Sequence, residues 1–154
     1  MNFDFETIQP DEFGTYVIAY QSVLLGQEVE LRVPSDHGRL FDWQIEVLNQ
    51  YCQMEARLKE TVYDSILGYY LEQLPDLREQ FGDQADIRAP LIENASQLTQ
   101  LITPTGICIG ELEPSEEAVG LLFECVWEPE HGLGVLLMNW SVAEVGHQDV
   151  AFTI

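Results

Sequence analysis

Polar and apolar positions alternate at both ends of the chain and repeat every three to four residues through its middle. At the start, Phe3 and Phe5 alternate with Asp4 and Glu6, and Pro10-Asp11-Glu12-Phe13-Gly14 reads as a turn. Thr15 to Tyr20 is β-branched and aromatic, which suits a strand. Glu28-Val29-Glu30-Leu31-Arg32-Val33 alternates strictly, placing Val29, Leu31 and Val33 on one face. Gln21 to Gln27 connects these two strands, and Pro34 to Gly38 closes the segment, with His37 as an exposed loop residue. From Leu40 to Leu74 the period changes. Ile45, Leu48 and Cys52, then Leu58, Val62, Ile66 and Tyr70, form an apolar stripe at helical spacing. A single helix of that length is unusual in a small domain. The expectation is two helices with a break around Gln53 to Glu55, then a short piece starting at Pro75, a residue suited to a first turn.

After a polar loop from Gly82 to Pro90, Asn94 to Leu101 reads as a short helix capped by Asn94, ended by Thr103-Pro104-Thr105-Gly106. A meander follows: Ile107 to Leu112, a turn at Glu113 to Glu117, Ala118 to Trp127, Leu133 to Met138, a turn at Asn139-Trp140-Ser141, Ser141 to Val145, and Val150 to Phe152. In the longest of these, Val119, Leu121, Phe123, Cys125 and Trp127 share one face. Strand-rich ends around a helical middle predict a single α+β domain spanning 1–154. Its antiparallel sheet, built from the N-terminal strands and the C-terminal meander, packs on a layer of two to four helices.

Composition changes this picture in one respect. The 154 residues hold 27 acids and 6 basic residues, a net charge of −21. No lysine or arginine follows Arg88. Such a chain repels nucleic acid and anionic membrane, whose binding rests on cationic side chains, and attracts basic partners. No apolar run approaches the ~18 residues of a membrane helix, and the first residues lack the basic and apolar regions of a signal peptide. Cys52, Cys108 and Cys125 are an odd number at unrelated spacings, read as free buried thiols of a cytoplasmic protein.

Candidate chemistry gathers near the C-terminus, at Glu128, Glu130, His131, His147 and Asp149. Pairing of Leu133–Met138 with Ser141–Val145 would bring the residues before the first strand close to those after the second. Imidazoles and carboxylates there could hold a divalent metal or act as acid and base. The competing reading is structural. Pro129 ends a strand, Gly132 and Gly134 permit a tight turn or bulge, and an acid beside His131 staples the hairpin. There is no Gly-x-Ser-x-Gly, no phosphate-binding loop and no calcium loop.

The block Trp127-Glu128-Pro129-Glu130-His131-Gly132-Leu133-Gly134-Val135, with Val145-Gly146 and Asp149-Val150-Ala151-Phe152, resembles the signature of a family of uncharacterised bacterial domains. That family carries Trp-Asp-x-Glu-His-Gly-x-Gly-Val followed by Gly-x-x-Asp-x-Ala-Phe. Here Glu128 replaces the usual Asp, and His147-Gln148 fills a variable gap, which argues against a shared role for His147. The resemblance implies no established activity. It implies a small soluble protein of the kind found beside bacterial toxin genes.

Three functional expectations result. The first is a non-enzymatic acidic binding protein with no cofactor, in its most concrete form an immunity protein that neutralises a basic toxin. Its binding face is assigned to Glu111, Glu113, Glu116, Glu117, Glu128 and Glu130, which lie in or beside turns. The second is a metal-binding protein or hydrolase using Glu130, His131 and Asp149. The third is a self-associating accessory module, such as a homodimer, marked by exposed apolar residues such as Trp140 or Leu122.

Overall fold

The computed structural model describes residues 8–35, 38–110 and 117–152. The proposed first strand at Phe3 and Phe5, the loop residue His37 and the turn acids Glu111, Glu113 and Glu116 lie outside the described residues. A hairpin of β1 (Thr15–Ser22) and β2 (Gln27–Pro34) comes first among the elements. The turn before it is fixed by Asp11, whose Oδ1 accepts the Phe13 and Thr15 N–H groups, both at 2.9 Å. Tyr16, Val29, Leu31 and Val33 are buried, so the alternation read from the sequence is the alternation of the sheet.

The helical layer departs from expectation. One helix, α1, runs unbroken from Asp42 to Phe81. At 1.5 Å per residue its 40 residues extend roughly 60 Å, longer than the strands it covers. There is no break at Gln53–Glu55, because Glu55 does not interrupt the apolar stripe. It belongs to it as a buried residue whose carboxylate is satisfied from the sheet. Pro75 does not open a new helix either. It sits inside α1, flanked by the buried Leu74 and half-buried Leu77, whose packing holds the helix through a residue that lacks an N–H. The buried face of α1 reads Gln44, Val47, Leu48, Tyr51, Glu55, Leu58, Val62, Ile66, Tyr70 and Leu74, a stripe at the helical period. A single-turn helix, α2 (Ala85–Arg88), and the 3₁₀ turns Gly82–Gln84 and Ala95–Gln100 follow. The last of these begins at the predicted cap, Asn94, and the Gln97 side chain accepts the N–H groups of Glu93 and Asn94.

The remaining strands are β3 (Ile102–Cys108), β4 (Ala118–Cys125), β5 (Leu133–Met138) and β6 (Ser141–Gly146), in the spatial order β1-β2-β3-β4-β5-β6. The sheet is mixed, not antiparallel. β2 and β3 run parallel, with Leu31 opposite Ile107. The reason is the connection. Between them the chain travels out along α1 and returns, and only a long crossover of this kind joins parallel neighbours. β3 also starts earlier than expected. Thr103-Pro104-Thr105-Gly106 is part of the strand, and Pro104 is accommodated where the β3–β4 register shifts between Pro104 and Gly106.

α1 covers one face of this sheet. Tyr63 meets Phe123 edge-on at 6.4 Å between ring centres, and Tyr70 lies 4.7 Å from Trp127. The Tyr70 hydroxyl donates to the Pro90 carbonyl at 2.6 Å, tying the helix to the loop after α2. The second face is partly covered by the chain itself. Val150–Phe152, expected as a strand, is the end of a 3₁₀ turn (Gln148–Phe152) that crosses this face and buries Ala151 against Cys108 and Leu122. It cannot be a further strand, because the chain leaves β6 and folds back over β5 and β4 rather than alongside. Leu122, named above as a marker of self-association, is therefore buried, and Trp140 is half-buried against the core. The cysteines are free thiols, with Cys108 and Cys125 buried. No helix among the described residues is long and apolar enough to cross a membrane.

Candidate functional site

The C-terminal corner is built by a tight hairpin. Asn139 and Trp140 both have positive φ, 51° and 61°, the conformation of a two-residue type I′ turn between β5 and β6. Met138 pairs with Ser141, and the ladder runs outward to Gly134 opposite Gly146. One more backbone bond, from the Gln148 N–H to the His131 carbonyl at 2.9 Å, carries the pairing past the end of the strands. The Gln148 side chain then reaches across to the Phe123 carbonyl at 3.0 Å.

The glycines of this corner make room for the backbone. A Cβ on Gly134 would stand 2.6 Å from the His147 carbonyl oxygen, and one on Gly120 would collide with the Ala151 carbonyl. Both lie on the sheet face that the last turn crosses, so Gly134 and Gly120 allow Gln148–Phe152 to lie flat on the strands.

On this frame, Glu128, His131 and His147 come together. The rings of His131 and His147 stack with centres 4.9 Å apart and planes 12° from parallel. His131 Nδ1 is 3.0 Å from Glu128 Oε1. That hydrogen bond holds the Glu128 carboxyl below its usual range. One ligand-capable atom from each of the three residues lies within 4.8 Å of the others. Glu128 is half-buried and both histidines are exposed, with the hydrogen bond orienting the Glu128 carboxylate and the His131 ring together. Glu130 and Asp149 stand apart from this group as exposed side chains. The corner thus assembles His131 with Glu128 and His147, rather than with Glu130 and Asp149.

His147 is the residue that sequence reasoning sets aside. Pairing alone does not find it: the register, shifted between Leu136 and Leu137, sets Gly134 opposite Gly146 and by continuation His131 opposite Asp149. The Gln148 N–H instead bonds the His131 carbonyl where the 3₁₀ turn begins, and the His147 ring is left stacked on His131.

Of the acids assigned to a binding face, Glu117, Glu128 and Glu130 are among the described residues. Glu117 is half-buried just before β4, Glu128 is hydrogen-bonded with His131, and Glu130 is exposed. The strand acids sort more clearly. The register places Glu28, Glu30, Glu124 and Glu144 on the face turned away from α1, beside Gly106, Leu122 and Leu136. Arg32 is the one basic residue among the described strand positions, and it pairs with Glu30 at 2.7 Å. Between Val17, Ala19, Glu28, Glu30 and Thr105 this face forms a shallow hollow of about 620 Å³.

No curated protein and no solved structure matches the chain. A family model described as a domain of unknown function (DUF6985) matches residues 4–152, nearly the whole chain, and the protein therefore belongs to that family.

Proposed function

We propose that the protein is a non-enzymatic binding protein whose acidic sheet face receives a basic protein partner, an immunity protein acting on a basic toxin being the concrete form. The observation that carries this reading is the acidic excess of the outer face, where Glu28, Glu30, Glu124 and Glu144 stand against one described base, Arg32, which pairs with Glu30. Other bases are also engaged within the fold. Arg78 binds Asp86 at 2.8 Å and the Ala89 carbonyl at 2.8 Å, and Arg88 donates to the Val126 carbonyl at 2.9 Å. The net charge of −21, in which these cations are already counted, speeds encounter with a positive surface and repels phosphate. Exposed Val17 and Ala19 beside Glu28 and Glu30 add apolar area to the charge, the mixture a protein interface uses.

A pull-down from the host tests this at low and at high salt. A basic protein retained at low salt and released at high salt supports the reading. Recovery of no basic protein at low salt contradicts it. The protein is placed in the cytoplasm on the same reading, in keeping with its free thiols.

A further inference from the structure

We propose that Glu128, His131 and His147 bind a divalent transition-metal ion of the zinc class. This rests on the corner's geometry alone and is independent of the partner reading above. Two imidazoles and one carboxylate are a donor set suited to such an ion, whereas magnesium and calcium prefer oxygen alone.

The distances fit a coordination sphere nearly in place. Ligand atoms about 2.0–2.1 Å from a tetrahedral metal are about 3.3 Å from one another. His131 Nδ1 and Glu128 Oε1 are already 3.0 Å apart. The three ligand atoms lie within 4.8 Å, so gathering them requires a closing of no more than about 1.5 Å. Stacked rings cannot both point at one ion, and one must tilt. His147 is exposed and free to do so by side-chain rotation.

The backbone beneath is fixed. The Gly132 N–H bonds the Glu128 carbonyl at 2.9 Å, and the Gln148 N–H bonds the His131 carbonyl at 2.9 Å. The ligands thus sit on a preorganised frame, and little ordering remains when the ion arrives. Three protein ligands leave a fourth position facing solvent. The strongly negative surroundings raise the local cation concentration.

The test is calorimetric titration of the whole protein with zinc chloride, in excess magnesium so that scattered carboxylates are already occupied. The expected result is one zinc per chain, with affinity lowered at least about 10-fold in His147→Ala and in His131→Ala, since even outer-shell losses reach that size. Zinc should also raise the melting temperature of the wild type, because it binds the folded corner only, and should not do so in His147→Ala. If His131→Ala perturbs the fold through the lost Glu128 contact, His147→Ala alone decides, as its side chain is exposed. Zinc binding unchanged in His147→Ala, or abolished by magnesium, would overturn the proposal.

Discussion

The Tyr20 hydroxyl, on β1, donates a hydrogen bond to the Glu55 carboxylate on the buried face of α1. Around the same carboxylate stand the Ser22 and Tyr51 hydroxyls and the Leu24 N–H, the last two at 3.0 and 3.2 Å. A carboxyl group with 1 % exposure is tolerable in an apolar layer only because this ring of donors replaces water. The Ser22 hydroxyl in turn accepts the Leu25 N–H at 3.0 Å, so the carboxylate also shapes the β1–β2 turn.

Removing that carboxylate leaves several buried donors without an acceptor. Glu55→Ala is expected to destabilise the fold by about 3 kcal/mol or more. Glu55→Gln keeps the shape but turns one acceptor into a donor, and should cost about 1–2 kcal/mol. Urea denaturation of the two variants measures both. Equal, negligible losses would mean the ring of hydrogen bonds contributes nothing to stability.

Gly120 and Gly134 should tolerate no methyl group. Gly134→Ala would place its Cβ 2.6 Å from the His147 carbonyl oxygen, and Gly120→Ala would press on the Ala151 carbonyl, each costing about 1–3 kcal/mol by overpacking. Gly68 behaves oppositely, being exposed in α1 with no side chain or other part of the fold within 4 Å of the place a methyl group would take. Gly68→Ala should stabilise by roughly 0.5–1 kcal/mol. Thermal melts of the three variants should therefore divide two against one.

Stability should fall on the alkaline side. Burial pushes the thiols of Cys108 and Cys125 up to about 11 and about 12, and the phenol of Tyr70 to about 12. Tyr20, Tyr51, Tyr63 and Cys52 are raised in the same sense, chiefly by burial. These groups stay protonated in the folded protein where the unfolded chain has begun to ionise. Their contribution is intact below the unfolded values, about pH 9, and is lost as pH rises through the folded ones. The melting temperature should decline progressively above about pH 9, and the two buried thiols should react slowly with a thiol reagent at about pH 8. A flat melting profile to about pH 11 would contradict this.

Much of this fold is legible in the sequence because local pattern and burial coincide. Val29, Leu31 and Val33 alternate in sequence and are buried together, and the stripe from Leu58 to Tyr70 is the buried face of α1. What is not legible depends on partners distant in the chain. Glu55 reads as a polar interruption until Tyr20 and Ser22 are placed against it. The parallel pairing of β2 and β3 leaves no mark in either strand, since its cause is the path of α1 between them. Val150-Ala151-Phe152 has a strand's composition, but its place is set by the absent side chains of Gly120 and Gly134. The corner follows the same division. Hairpin pairing brings His131 towards the residues after β6, while the choice of His147 over Asp149 rests on the 3₁₀ turn that takes the chain out of the ladder from Gln148 onward.

If the acidic sheet face is the binding surface, position matters more than total charge. Two quadruple variants carry equal charge changes. One neutralises the outer face by Glu28→Gln, Glu30→Gln, Glu124→Gln and Glu144→Gln. The other neutralises exposed acids of α1 by Glu46→Gln, Glu60→Gln, Glu72→Gln and Glu79→Gln. The decisive measurement is the amount of basic partner each retains at low salt beside the wild type. Loss of the partner from the sheet-face variant, with near-normal retention by the helix variant, is the predicted result. Equal retention by the two, or greater loss from the helix variant, would contradict it.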